Sequence, residues 1–267
     1  MHPLLNIAVR AARRAGEIIV RSLVRLESLE VTSKGRNDYV SEIDRAAERE
    51  IIDIVRKHYP EHAFLAEESG RSGESETLWI IDPLDGTTNF LHGFPVFAVS
   101  IAVQQRGRLE VAAIYDPMRQ EIFTATRGAG AHLENRRMRV SKQRSLEGAL
   151  LATGFPHRQA DETYAGEYFS MLRALAARTA GIRRPGSAAL DLAYVAAGRV
   201  DGFWELGLKA WDTAAGTLMI REAGGRVGTL GGAEYALGPN IVAGAPKVYE
   251  AMIETIAPFV PESLREV

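Results

Sequence analysis

Apolar residues near the start of the chain recur with a helical period. They form one stripe from Leu4 to Leu23, and spacings of three and four residues are typical of an amphipathic helix. A second helix is predicted over 42–58, where Ser41 and Asp44 have the spacing of a capping box. We therefore expect two helices within the first 58 residues.

Short apolar runs follow the second helix and predict strands. "AFLAEE" at 63–68 and "LWII" at 78–81 are typical of buried strands. Residues 96–126 alternate apolar segments with turns, which predicts a β-meander. A Gly- and Arg-rich connector occupies 128–145.

Helices alternate with short strands after residue 145. The predicted helices cover 163–178, 187–198, 212–223 and 246–257. The predicted strands cover 149–153, 181–184, 201–205 and 240–243. This alternation indicates an α/β architecture. We place a boundary in the connector, between an N-terminal α+β lobe (1–145) and a C-terminal α/β lobe (146–267).

Composition and charge narrow the class of protein. The chain has 267 residues, a net charge of -2 and no cysteine. It can bury a large core, carries no basic field that favours nucleic acid, and cannot use disulfides, thiolate catalysis or Cys-ligated zinc. Arg10, Arg13 and Arg14 interrupt the apolar pattern that a signal peptide would need. No apolar run approaches the roughly 20 residues of a membrane helix, so we expect a cytoplasmic protein.

The stretch "WIIDPLDGTTNF" at 79–90 carries the strongest chemical signal. An apolar strand that ends in Asp82 places a carboxylate at the edge of a sheet, where α/β folds build their sites. The proline turn can direct Asp82, the Leu84 carbonyl and Asp85 to one point, and three hard oxygens suit Mg²⁺. Gly86 permits close backbone approach, and Thr87 can open a helix whose free N–H groups attract phosphate.

Other acids need to converge on such a loop, and each has a simpler interpretation. Glu67 and Glu68 end a strand-like run but could form a solvated turn. Glu205 ends another run, and Asp212 begins a patterned helix, where it could act only as a cap. The helix that contains Asp44 is mostly a solvated face, so its residues alone assign no role to Asp44.

The long motifs resemble those of the inositol monophosphatase family. These are "WIIDPLDGTTNF", "EES" upstream of it and "WDTAAGTLMIREAGG" downstream. "YDPMRQEIFTATRG" and "GSAALDLAYVAAGRVDGF" are similar to the bacterial SuhB-type branch, and the likeness covers essentially the whole chain. The resemblance implies a layered α-β-α-β-α sandwich, two or three Mg²⁺ ions, sensitivity to lithium and a homodimer.

The resemblance also implies a role for each matching residue. One Mg²⁺ would be held by Glu67, Asp82 and the Leu84 carbonyl, a second by Asp82, Asp85 and Asp212, and a looser third near Glu67. Thr87 and Asp44 would orient the attacking water, and Glu67 would help to activate it. The backbone of Gly86 and Thr87 would cradle the phosphate. The implied substrate contacts are Leu84, Asp85, Gly86, Thr87, Arg183, Ala188, Glu205 and Asp212.

Two functions follow as expectations. The first is Mg²⁺-dependent hydrolysis of inositol 1-phosphate and related small polyol or sugar monophosphates, with fructose-1,6-bisphosphate and 3'-phosphoadenosine phosphates as rival substrates. Because no His or Cys lies in the motifs, we expect direct attack by metal-activated water. The second is transcription antitermination with NusA and RNA polymerase, which the SuhB-type resemblance implies. Arg183, Arg184 and the basic segment at 134–144 are candidate docking features, although they could be only solvated charge.

Overall fold

Helices and strands alternate along most of the structure, a computed structural model that describes residues 2–28, 31–35, 38–156 and 163–266. The helices are α1 (Pro3–Ser22), α2 (Glu42–His58), α3 (Thr87–Leu91), α4 (Ala165–Ala176), α5 (Ala188–Ala196), α6 (Ala210–Glu222), α7 (Pro246–Ile256) and α8 (Glu262–Arg265). The first ten strands are β1 (Val31–Gly35), β2 (Asp38–Ser41), β3 (Ala63–Ala66), β4 (Gly70–Ser72), β5 (Thr77–Asp85), β6 (Ala98–Gln105), β7 (Arg108–Asp116), β8 (Glu121–Thr126), β9 (Gly130–Leu133) and β10 (Arg136–Arg137). The remaining strands are β11 (Leu150–Thr153), β12 (Gly181–Arg183), β13 (Gly202–Glu205), β14 (Arg226–Gly228) and β15 (Ile241–Gly244).

Two mixed sheets form the frame of the molecule. The larger has eight strands in the order β10-β9-β8-β7-β6-β5-β3-β4, and the smaller has five in the order β12-β11-β13-β15-β14. Most neighbours in the larger sheet are antiparallel, whereas β3 and β5 are parallel. Strands β1 and β2 form a separate two-stranded ribbon.

Helices cover both faces of the two main sheets. Helices α1 and α2 lie on the outer face of the large sheet, α5 and α6 lie between the sheets, and α4 and α7 cover the small sheet. The position of strand β5 between two layers of helices explains why its sequence is almost wholly apolar. Trp79 and Ile81 pack toward α1 and α2, whereas Ile80 joins the core formed with α5 and α6. A strand buried on both faces reads as a continuous apolar run.

The predicted α/β class and the layered α-β-α-β-α sandwich are confirmed. The capping box of α2 is also present, because Ser41 Oγ accepts the Ile43 N–H at 3.1 Å and Asp44 Oδ2 accepts the Ser41 N–H at 2.8 Å. The segment at 128–145 differs from the expectation of a plain connector, since β9 and β10 extend the large sheet there. The division into lobes at residue 145 stays a prediction, because α5 and α6 pack against both sheets.

Candidate active site

The end of strand β5 carries the first carboxylate of the site. Asp82 is only 1% exposed, and its Oδ1 accepts the Leu84 N–H at 3.0 Å. The pairing of β5 with β6 is interrupted between Asp82 and Asp85, so the proline turn lifts this stretch out of the regular ladder. The turn therefore brings the second aspartate back toward the first.

Three aspartates from distant parts of the chain meet at this point. Asp82, Asp85 and Asp212 each offer an oxygen, and these oxygens lie within 4.8 Å of one another. Burial, and after it the negative charges of Glu67, Asp85 and Asp212, hold the pKa of Asp82 well above its usual range. Like charges at such distances repel strongly in a poorly solvated site. A cluster of this kind is stabilised by a bound cation.

Two of these aspartates are held in position by the starts of helices. Asp85 Oδ2 accepts the Ser187 hydroxyl at 2.6 Å and the Ala189 N–H at 2.7 Å, at the N-terminus of α5. Asp212 Oδ2 accepts the Lys209 N–H at 2.6 Å in the first turn of α6. The expectation that Asp212 begins its helix is corrected slightly, because α6 begins at Ala210. Asp212 is thus both a helix-cap group and a member of the cluster.

The chemistry of the donor set fits a hard divalent cation. All three groups are carboxylates, and neither sulfur nor imidazole is among them. Mg²⁺ prefers such oxygen ligands and is usually held by few of them. The donor set therefore fits the predicted magnesium site.

A hydroxyl–carboxylate pair lies beside the aspartates. Thr87 Oγ1 is 2.9 Å from Asp44 Oδ1 and 3.1 Å from the Leu84 carbonyl. Burial raises the pKa of Asp44, and hydrogen bonds from Ser41 and Thr87 partly offset that effect. Gly86 precedes α3 with φ at +97°, and a Cβ there would lie 3.0 Å from the Val96 carbonyl. Only glycine suits that position, so the turn depends on it.

A single cavity of about 410 Å³ joins these groups. This volume lies within the roughly 300–1,000 Å³ of small-molecule sites. Its lining includes Glu67, Asp82, Leu84, Asp85, Gly86, Thr87, Gly154, Arg184, Ser187, Ala188, Asp191, Glu205 and Asp212. Nearly all of the site residues predicted from the sequence therefore line one cavity.

Two predicted residues lie elsewhere. Asp44 is fully buried behind Thr87 and meets the cavity only through that hydroxyl. Arg183 is exposed on β12, an edge strand, where its Nη1 donates to the Ile182 carbonyl at 3.3 Å. It is not among the lining residues, whereas its neighbour Arg184 is. The contact of Arg183 with the substrate stays a prediction.

Two residues of the cavity wall gave no signal of their own in the sequence. A Cβ at Gly154 would lie 1.9 Å from Glu205 Oε1, so this glycine makes room for the Glu205 carboxylate. Asp191 is 2% exposed, and its Oδ1 has no hydrogen-bond partner among the described residues. Burial, then the charges of Glu205 and Asp85, hold its pKa well above the usual range. A short-range pattern search would read the first as a turn glycine and the second as a helix-start acid.

The layered fold and the acidic cavity define a class of phosphatases. A family model described as the inositol monophosphatase family matches residues 1–262, and the chain belongs to this family. It is 56% identical over 270 residues to Nus factor SuhB of Pseudomonas aeruginosa, covering 99% of this chain and 100% of that protein.

Solved structures agree with this membership. The extragenic suppressor protein SuhB of Bartonella henselae has a TM-score of 0.92 and 47% identity, over 96% of this chain and 98% of the other. Inositol monophosphatase of Anabaena has a TM-score of 0.85 and 38% identity, over 97% of each chain. These likenesses support phosphatase chemistry at the cavity. No helix in the described ranges has the length and apolar character to cross a membrane.

Proposed function

We propose that this protein hydrolyses inositol 1-phosphate and related small polyol or sugar monophosphates in a Mg²⁺-dependent reaction. One observation carries the proposal: the Asp82–Asp85–Asp212 cluster lines the same cavity as Thr87, whose hydroxyl is hydrogen-bonded to the buried Asp44. Hydrolysis of phosphate monoesters is among the slowest uncatalysed reactions. An enzyme for it needs strong neutralisation of charge beside a directed water molecule.

The residues that would hold Mg²⁺ are Glu67, Asp82, the Leu84 carbonyl, Asp85 and Asp212. Glu67 approaches Asp82 closely enough to raise the pKa of Asp82 through its charge and a hydrogen bond. When bound, Mg²⁺ ions neutralise phosphate charge and lower the pKa of water. We propose two ions and leave a third near Glu67 as a further expectation of the resemblance.

The Thr87–Asp44 pair directs the nucleophile. Asp44 Oδ1 accepts the hydroxyl hydrogen of Thr87, which leaves the Thr87 oxygen to accept a hydrogen from a water molecule in the cavity. That water attacks phosphorus and the bond to the polyol oxygen breaks. We propose that Glu67 takes the proton that the water loses, and that the leaving polyol oxygen takes a proton from solvent water in the open cavity. The backbone of Gly86 and Thr87 borders the same space and would contact the phosphate.

The part of the cavity lined by Ala188, Glu205 and Asp212 would bind the polyol. Arg184 also lines the cavity. Carboxylates accept hydrogen bonds and do not donate them when ionised, so Glu205 favours a substrate rich in hydroxyl groups. This chemistry supports an inositol or sugar phosphate over a simple alkyl phosphate.

Phosphate release from inositol 1-phosphate, with Mg²⁺ and with EDTA, tests the proposal. Fructose-1,6-bisphosphate and 3'-phosphoadenosine phosphates should be poorer substrates by kcat/KM. Asp82→Asn should lose more than about nine-tenths of turnover at saturating Mg²⁺, since one change weakens both proposed ions. Its melting temperature in EDTA should hold or rise, because the charge repulsion is relieved. The exposed Asp53→Asn is the matched control, and equal activity in the two variants would refute the site.

A second candidate function is that of a Nus-type transcription factor, in addition to catalysis. The observation that favours it is the likeness to proteins named Nus factor SuhB. We propose that such a role would use NusA or RNA polymerase as partner. A protein partner needs roughly 800 Å² of surface on each side, so it would dock outside the cavity. Arg136, Arg139 and Arg144 are exposed in the basic segment and would suit an acidic partner.

Capture experiments separate this role from catalysis. Immobilised wild type and Asp82→Asn should both retain NusA or RNA polymerase from lysate at physiological salt. The double variant R136A/R144A should lose the partner and keep hydrolysis; Arg184 lines the cavity and is a poorer choice. Light scattering reports whether each variant keeps the homodimer that we also propose. Failure of the wild type to retain any transcription component would remove this function and leave the phosphatase.

A further inference from the structure

A buried glutamate on helix α2 contacts the turn that carries Glu67. Glu48 is 4% exposed. Its Oε2 accepts the Glu68 N–H at 2.8 Å, and its Oε1 accepts the Ser69 N–H at 2.9 Å. Each hydrogen bond to an ionised acceptor is stronger than one between neutral groups. The carboxylate therefore fixes the backbone immediately after Glu67.

The same turn is fixed on its other side by the large sheet. Glu67 N–H donates to the Ile81 carbonyl at 3.1 Å, which continues the parallel pairing of β3 with β5. Without Glu48, the two N–H groups that follow would lack these acceptors. Glu67 thus has one backbone anchor before it and two immediately after it, and its position relative to Asp82 depends on both.

An acid at position 48 is electrostatically unfavourable unless the position of the turn after Glu67 matters. Glu48 adds a negative charge to a region that already contains Glu67 and Glu68, and like charges disfavour one another. A carboxylate is the side chain that accepts two N–H groups at once, one on each oxygen. A glutamine offers a single oxygen, and its amide group would face the second N–H. The geometry therefore favours a side chain with two acceptor oxygens.

One face of helix α2 contacts both Thr87 and the turn that follows Glu67. Asp44 and Glu48 are four residues apart, so they lie one above the other on the helix. Asp44 holds Thr87, and Glu48 holds the turn after Glu67. One rigid helix thereby sets the separation between the residue that directs water and a residue proposed to bind metal.

We propose that Glu48 is a positioning residue for the metal centre: it holds Glu67 in place toward the aspartate cluster. The inference rests on the proposed function. Groups behind metal ligands typically change metal affinity or activity by about 10- to 100-fold when they are removed. Loss of one of the two hydrogen bonds should therefore weaken metal binding even though Glu48 does not itself line the cavity.

The test measures metal binding to the whole, metal-free protein, with Mn²⁺ as a probe that accepts the same oxygen ligands. Free Mn²⁺ is counted by electron paramagnetic resonance. Glu48→Gln should bind Mn²⁺ about tenfold or more weakly, and its activity should recover at high Mg²⁺ with little change in KM for substrate. Glu50→Gln is the control, because Glu50 lies on the same helix and pairs with Arg14 at the surface.

The outcomes separate the two proposals. If Glu48→Gln melts at a lower temperature but binds Mn²⁺ as the wild type does, Glu48 is only structural and the inference is overturned. If the wild type binds Mn²⁺ and hydrolyses substrate, the failure of the inference about Glu48 leaves the proposed function standing. If the wild type binds no Mn²⁺, both fall together. Should Glu48→Gln fail to fold, Glu48→Asp keeps the charge with a shorter reach and should show the same loss of Mn²⁺ affinity.

Discussion

Thr87 Oγ1 and Asp44 Oδ1 lie 2.9 Å apart, although 43 positions separate the two residues in the chain. Asp44 is fully buried near the start of α2, and Thr87 begins α3 at the edge of the cavity. A buried carboxylate oxygen needs a donor, so the hydroxyl hydrogen points away from the cavity. Asp44 therefore both caps α2 and orients the Thr87 hydroxyl group.

Thr87→Val removes this hydroxyl at nearly constant shape. We expect kcat to fall by about 10²- to 10⁴-fold, the range of a group that assists proton transfer. KM should change little, because the phosphate contacts and the carboxylates remain. Steady-state phosphate release measures both constants. Thr163→Val is the control, since Thr163 is exposed and lies outside the cavity lining; a fall in melting temperature in Thr87→Val alone would point to damage of the turn instead.

Gly154→Ala should act on the polyol end of the cavity. An added Cβ would lie 1.9 Å from Glu205 Oε1, so the carboxylate has to move. KM for inositol 1-phosphate should rise by about tenfold, the equivalent of roughly 1.4 kcal/mol, whereas Mn²⁺ affinity should hold. Gly166→Ala places the same change in α4, where a Cβ meets nothing within 4 Å, and it should be neutral or slightly stabilising. Unchanged KM in Gly154→Ala would argue against Glu205 as a substrate contact.

Asp191 should make stability depend on pH. An unfolded aspartate ionises near pH 3.9, whereas burial raises the pKa of Asp191 well above that value in the folded protein. Its contribution to stability is therefore fully present below about pH 4 and is lost as pH rises through the folded pKa. Asp191→Asn should melt at least about 2 °C higher than wild type at pH 8, with a smaller gap at pH 5. A gap of constant size, or one shared by Asp53→Asn, would contradict this expectation.

Lithium should inhibit the reaction in the millimolar range. The family resemblance implies that Li⁺ takes one Mg²⁺ position after hydrolysis and slows product release, and Asp82, Asp85 and Asp212 would form that position here. Inhibition should be uncompetitive with substrate, as double-reciprocal plots at several LiCl concentrations would show. KCl at equal ionic strength controls for salt. Full Mg²⁺-dependent activity in LiCl would mean that this position differs from that of the family.

The elements with strong periodicity were predictable from the sequence. The stripe of α1, the capping box of α2 and the apolar run of β5 each reflect local rules, and the structure contains them close to the expected bounds. Strands β9 and β10 were missed because their sequence is short and rich in Gly and Arg. Pairing at the edge of a sheet, and not local preference, makes them strands.

The residues of the site also differ in whether local sequence predicts them. Asp82 and Asp85 were predictable because a strand end, a proline and a glycine constrain one short segment. Glu48 was not predictable, because an acid among charged residues on a helix is normally solvated. Its two carboxylate oxygens instead accept N–H groups from residues 20 and 21 positions away. Gly154 and Glu205 form their contact across two strands of one sheet. Such long-range contacts leave no local pattern.

The shared layer of α5 and α6 has a consequence for how the chain is made. The inner face of the large sheet belongs to the same core as these two helices, yet its strands end before residue 138 and α6 ends at Glu222. Ribosomes add roughly 5–20 residues per second, so several seconds pass between synthesis of this apolar face and synthesis of the helices that cover it. During synthesis this apolar face of the nascent chain therefore stays exposed to solvent until the second half emerges.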